Sequence, residues 1–218
     1  CITAMQAEVD IPVTVKCRIG IDDMDEYKDL SRFVNIVAAA GCETFIVHAR
    51  KAWLQGLSPK ENRDIPPLCY PRVYELKQEF PALNISINGG IKTLEEAKQH
   101  LSYVDGVMIG REVYANPFML TRVDAEVFAA PLNTVTRESI VEEMSQYIRQ
   151  QVLLGDREWH VARHMLGLFQ GQPGGRVWRR YLSQNGTGRN PQTDVVLRAL
   201  DAVHDTISNL RRADSIAG

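Results

Sequence analysis

No run of about eighteen apolar residues occurs in this 218-residue sequence, so no stretch reads as a membrane-spanning helix. The opening residues Cys1 to Glu8 lack the basic start and long apolar core of a secretory signal. Cysteine is scarce: Cys1, Cys17, Cys42 and Cys69 are scattered with no C-x-x-C pair, which argues against a zinc site and a disulfide framework. A cytoplasmic protein without a metal, acting as a monomer, is the expectation. Lysine is missing from residues 131–218, which hold 11 arginines against 9 acids, a net of +2. Residues 1–130 carry 14 basic and 18 acidic residues, a net of −4. Within 157–189 six arginines meet a single acid, a local patch that suits a polyanion docked at one place rather than general coating of nucleic acid.

Two short apolar runs organise the rest. Asn84 to Ile91 stops on Gly89-Gly90, and Asp105 to Arg111 stops on Gly110, each leading into a helical segment; Thr93 to Glu96 has the pattern of a capping box. Such runs read as consecutive βα units of a parallel sheet. Glycine at the C-terminal end of a strand lets backbone N–H groups approach a phosphate, and the helix that follows adds positive potential. Two successive turns of this kind hold phosphate in strands seven and eight of a TIM barrel. Arg111 offers a cation at the second turn.

Upstream, residues 1–9 read as the tail of a helix and Val13–Gly20 as a strand. Asp25–Ala40 reads as a helix with Leu30, Phe33, Val34 and Val37 on one face, and Thr44–Arg50 as the next strand. Residues 51–70 are a long proline-rich loop of the kind that is usually functional, and 71–79 form a helix. Strand, loop and helix recur four times. A complete barrel takes about eight strands and ~250 residues, so the fold expected is the C-terminal half of an α/β TIM barrel over 1–130. An all-α helical bundle over 131–218 follows, with helices at 137–154, 157–170, 175–185 and 192–212 broken at Gly155, at 171–175 and at 186–191.

Lys16 and Arg18 stand two apart on one strand, and His48 and Arg50 repeat the pattern on the next, so each pair points to one side. Polar groups at the C-terminal ends of barrel strands are where βα loops assemble active sites. A lysine and a histidine over a flavin would stabilise negative charge on its reduced ring. His160 and His164 lie one helical turn apart without a third ligand and read as structural, and Trp159 and Trp178 read as bundle core.

These residues carry a resemblance. Residues 15–20, 47–50, 86–90 and 108–111 are similar to the flavin-site motifs of the tRNA-dihydrouridine synthases. The loop from Arg50 to Tyr70 resembles the A subfamily, which acts on uridines 20 and 20a. The resemblance implies FMN as cofactor, NADPH as electron source, and reduction of the C5–C6 bond of a uridine in the D-loop of tRNA. It places Lys16 and His48 against the isoalloxazine and Asn88, Gly89, Gly90, Gly110 and Arg111 at the phosphate. Lys60 and Arg63 match tRNA positions of the subfamily, and Arg176 and Arg179, with Arg180 on the same helix face, fall in the family's helical tRNA-binding domain. Arg18 and Arg50 are further candidates for tRNA. The family's proton donor is a cysteine in a Gly-x-Cys context that none of the four cysteines matches, so it is expected upstream of Cys1, leaving this chain inactive alone. Two other readings stay open: a non-catalytic RNA-binding remnant, and another phosphate-binding barrel oxidoreductase, in which an arginine-rich bundle has no evident use.

Overall fold

The computed structural model describes residues 1–187 and 194–217, with side chains to 212. The expected break at 186–191 lies mostly outside the described residues. The chain falls into two compact units, Cys1–Gly110 and Arg111–Gly218.

The first unit runs α1 (Ile2–Gln6), β1 (Val15–Arg18), α2 (Tyr27–Ala39), β2 (Thr44–His48), α3 (Tyr70–Glu79), β3 (Asn84–Asn88), α4 (Leu94–Leu101) and β4 (Gly106–Met108). The strands form one parallel sheet in the order β1-β2-β3-β4. Period-two alternation sorts its side chains. Phe45, Val47, Ile85 and Ile87 are fully buried on one face, where Leu30 and Val34 of α2, Val73 and Leu76 of α3, and Ala97 of α4 complete the core. Each such aliphatic side chain contributes about 1.5–3 kcal/mol by leaving water. The other face presents Lys16, Arg18, Ile46, His48, Ser86, Asn88 and Met108, none of them buried. Register aligns them in two rows across the strands, Lys16–Ile46–Ser86–Gly106 and Arg18–His48–Asn88–Met108. All the helices of this unit's core therefore lie on one side of its sheet.

Local chemistry fixes the helix ends. The Thr93 hydroxyl accepts from the Glu96 amide at 3.1 Å while the Glu96 carboxylate accepts from the amides of Lys92 and Thr93, starting α4 with a capping box as expected. In α2, Leu30 and Val34 point inward as expected, but Phe33 lies at the edge of the apolar stripe and is 43% exposed.

The second unit contains α5 (Arg111–Ala115), a 3-10 helix (Pro117–Arg122), α6 (Val123–Phe128), α7 (Arg137–Leu153), α8 (Glu158–Ala162), a 3-10 turn (Arg163–Met165), α9 (Gly175–Asn185) and α10 (Val195–Ala217). No strand occurs among its described residues. Val141, Ile148, Leu168, Phe169, Trp178, Leu182, Val196 and Val203 form its core. The division falls at residue 110 rather than near 130. Residues 111–128 pack with the bundle: the Arg137 guanidinium stacks 3.7 Å over the Phe118 ring, and a Cβ on Gly167 would lie 2.3 Å from the Ala115 carbonyl oxygen. Three segments of six residues or fewer are too short to show a helical period. The single helix expected over 157–170 is instead α8 followed by 3-10 and turn geometry.

Candidate functional site

At the C-terminal ends of the strands, the Lys16 ammonium reaches across β2 and donates to Asn88 Oδ1 at 3.0 Å. Asn88 Nδ2 in turn donates to the Met108 carbonyl at 2.7 Å. One side-chain chain thus links β1, β3 and β4. Burial, and then the neighbouring Arg18, hold the Lys16 pKa below the ordinary lysine range. Arg18 is shifted down by burial, then by Arg63 and Arg50. Four cations therefore share this end of the sheet, and their mutual repulsion favours an anion between them.

Directly after β3, Gly89 and Gly90 take φ of +120° and +73°. A Cβ on Gly89 would lie 2.6 Å from the His48 ring, and one on Gly90 would lie 2.6 Å from Leu68 and 3.1 Å from the Tyr70 hydroxyl. Conformation and space both demand glycine here. The turn is pinned by Tyr70 Oη, which donates to the Gly89 carbonyl at 2.8 Å. The helix N-terminus expected to reinforce the turn is already engaged, because Glu96 caps α4 with its own carboxylate. Gly110 differs from the pair: no atom lies within 4 Å of where its Cβ would stand, so it opens on free space. Arg111 follows as the first residue of α5.

The loop 51–70 is irregular but firmly held. It contains a single 3-10 turn, Glu61–Arg63. Asn62 clamps Trp53 from both sides, accepting from its amide at 2.8 Å and donating to its carbonyl at 2.6 Å. Arg18 donates to the carbonyls of Lys51 (3.0 Å) and Asn62 (2.8 Å). Arg50 donates to the Pro66 carbonyl and leaves its Nε buried without a partner. Arg18 and Arg50 thus fasten the loop from beneath, whereas Lys60 and Arg63 stand exposed on it. Tyr70 and Asn62 were not legible as site residues, because a tyrosine opening a helix and an asparagine in a proline-rich loop carry no periodic signal.

In the second unit Arg176 and Arg180 are exposed and Arg179 is half-buried, donating to Gln170 Oε1 at 3.0 Å. The first turn of α9 has neither a side-chain cap nor an acid, so its N-terminal amides and Arg176 place positive potential at one end. Trp178 is fully buried and donates to the Met165 carbonyl at 2.8 Å, and Trp159 packs on the same core, as read from the sequence. His164 Nδ1 lies 3.0 Å from the Tyr114 hydroxyl, and its Nε2 accepts from Arg163 Nε at 3.1 Å. His160 faces Asp156 at 3.4 Å.

A parallel sheet of βα units ending in a cationic row and a glycine turn, followed by an arginine-rich helical unit, places the chain among α/β proteins with a helical C-terminal unit. The family model of dihydrouridine synthase matches residues 1–206, and the chain belongs to that family. It is 56% identical over 203 residues to a tRNA-dihydrouridine(20/20a) synthase of Shewanella oneidensis, covering 93% of this chain and 61% of the relative. It is 58% identical over 203 residues to the Pasteurella multocida protein of that name, covering 93% and 62%. Against the Escherichia coli K12 protein of that name it is 56% identical over 206 residues, covering 94% and 60%. The chain spans about three fifths of the length of these relatives.

Proposed function

We propose that this chain is part of an FMN-dependent, NADPH-linked synthase that reduces uridine to dihydrouridine at positions 20 and 20a of tRNA. In this reading residues 1–110 supply half of a (β/α)8 barrel, and the helical unit binds tRNA. The observation that carries it is the Lys16–Asn88 pair standing beside the Gly89–Gly90 turn. The part-exposed polar face of the parallel sheet supports the barrel, since parallel sheets are covered on both faces.

The residues fit FMN. Exposed amides at Gly90 and the free space over Gly110 suit a phosphate that a Cβ would obstruct, with Arg111 next in sequence. When bound, FMN would supply the hydride for the C5–C6 bond. Lys16 holds a positive charge, oriented by Asn88, where negative charge is to be stabilised. His48, its ring against Gly89, offers a polar edge on the same face. The Gly-x-Cys context of the family's proton donor is matched by none of the four cysteines, and Cys17 packs against the core, where burial pushes its thiol up to about 11. The donor belongs to the part of the relatives' length that this chain does not span. Lys60 and Arg63 meet tRNA over the sheet, and Arg176 and Arg179 grip its backbone elsewhere, tasks suited to cationic side chains.

The test is a single-turnover assay on the full-length protein with NADPH and an unmodified tRNA transcript. Lys16→Ala should slow uridine reduction far more than it weakens tRNA binding, by ~10²-fold or more for loss of one charge stabiliser. Unchanged rates of flavin reduction and reoxidation would remove Lys16 from this role.

A further inference from the structure

Beside the cationic row, the loops that follow β1 and β2 border an open pocket of about 370 Å³ lined by Asp22, Asp23, Lys51, Trp53 and Gln55. Ligand sites begin at about this size. Its walls are built rather than incidental. The main chains pair through Asp22 N to the Ala52 carbonyl (2.8 Å) and Ala52 N to the Gly20 carbonyl (2.9 Å). Asp22 is held at φ +45°, a strained conformation for a residue other than glycine, and its Oδ1 accepts from the Leu54 amide at 2.8 Å. The Asn62 clamp fixes the Trp53 main chain through its amide and carbonyl. Lys51 is tied to Asp25 at 2.6 Å and lies 5.8 Å from the centre of the Trp53 ring. The Asp23 carboxylate and the Gln55 amide enter none of these bonds.

An aromatic ring, a carboxylate and an amide lining one pocket are the chemistry of a nucleobase site. Carboxylates repel phosphate, so the ligand's backbone must run outside the pocket, toward Lys60 and Arg63 on the same loop. The acids also choose among bases. The two acceptor oxygens of the Asp23 carboxylate call for adjacent N–H donors on the Watson–Crick edge. Guanine offers N1–H beside the N2 amine, whereas adenine, cytosine and uracil each place an acceptor next to their donor. Gln55 can donate to guanine O6 or N7.

We propose that this pocket is a guanine-binding subsite for an unpaired nucleotide of the tRNA substrate, with Trp53 as the stacking surface, Asp23 as the edge reader and Gln55 as a donor. The proposal rests on the tRNA reading above and adds to it a base-recognition site outside the flavin pocket.

The experiment measures binding of an unmodified tRNA transcript to the full-length protein. Trp53→Ala should weaken binding by about 5- to 150-fold, the range for one lost stack, while Trp53→Phe restores most of it. Asp23→Ala, at an exposed position, should weaken binding by about 5-fold or more. The decisive arm is a transcript with inosine, which lacks the N2 amine, replacing guanosine in the loop that carries positions 20 and 20a. The parent protein should lose affinity for it, and Asp23→Ala should lose none further. FMN retention should be the same in every variant. Parent-like binding by Asp23→Ala and Trp53→Ala, or equal inosine penalties in parent and Asp23→Ala, overturns the subsite alone. Failure of the parent protein to bind tRNA at all overturns the functional reading itself.

Discussion

Tyr70 Oη donates to the Gly89 carbonyl across 2.8 Å, tying the start of α3 to the turn after β3. The Tyr70 ring sits edge-on to His100, 4.5 Å between centroids, and His100 Nδ1 lies 2.6 Å from the Tyr74 hydroxyl. The turn is thus anchored to two helices. Tyr70→Phe keeps the ring and deletes the bond, so it should cost about 0.5–1.5 kcal/mol of stability and loosen FMN. Thermal unfolding and ultrafiltration of reconstituted flavin are the measurements. No change in either removes Tyr70 as a support of the turn.

The two glycine turns should respond differently to alanine. Gly89→Ala forces a side chain into a left-handed conformation and against His48, so the protein itself should be destabilised by about 1–3 kcal/mol. Gly110→Ala meets no atom and should leave unfolding unchanged while weakening FMN. Denaturant titration beside flavin affinity separates the two. Equal destabilisation would show that Gly110 is structural.

Flavin binding should depend on pH through Lys16. Its pKa is lowered in the free protein by burial and then by Arg18, and an anionic ligand would raise it again. The group then takes up a proton on binding. Affinity is full below the free pKa and falls as pH rises through the bound one. Lys16→Met should flatten the alkaline limb of the profile. An unaltered limb in that variant would assign the dependence to another group.

Replacing Arg176 and Arg179 together with alanine should weaken every tRNA substrate alike. The log–log salt slope should become shallower by about 0.7–0.9 for each tRNA phosphate that is no longer neutralised. Flavin content should not change. Normal binding with the parent's slope would return this face to ordinary solvated surface.

Glu158 is buried, and its carboxylate accepts from the Val195 amide at 2.8 Å, capping α10 from another helix. Burial raises its pKa despite that bond. A folded carboxyl titrating above its unfolded value binds protons that the unfolded chain has lost, so stability declines as pH rises between the two values. Glu158→Gln keeps the acceptor and should remove this slope. Glu158→Leu strands the amide and should cost about 1–3 kcal/mol. Equal stability of the two variants would show that the cap is not used.

The sheet was legible because alternation in Thr44–His48 and Asn84–Asn88 sorts buried from part-exposed residues at every position. Spacing two apart put Lys16 with Arg18 and His48 with Arg50 on one side of their strands, whereas Asn88 came from the family resemblance. What lies between elements was not. Asn62, Trp53 and Tyr70 act through main-chain carbonyls and amides that no spacing rule encodes, and Phe33 turned outward because it sits at the stripe's edge rather than its centre. The boundary near 130 falls where the strand-and-helix period gives way to helices, but Phe118 and Gly167, an ordinary aromatic and an ordinary glycine in the sequence, take part in packing 111–128 with the bundle.

Asn62 belongs to the same 3-10 turn as Arg63, its carbonyl rests on Arg18 of β1, and its side chain grips Trp53. A pull on Lys60 or Arg63 is therefore a pull on a strut bolted to the sheet. The exposed tip that carries Arg63 is thus joined, through one main-chain carbonyl and one guanidinium, to the end of β1 two residues from Lys16.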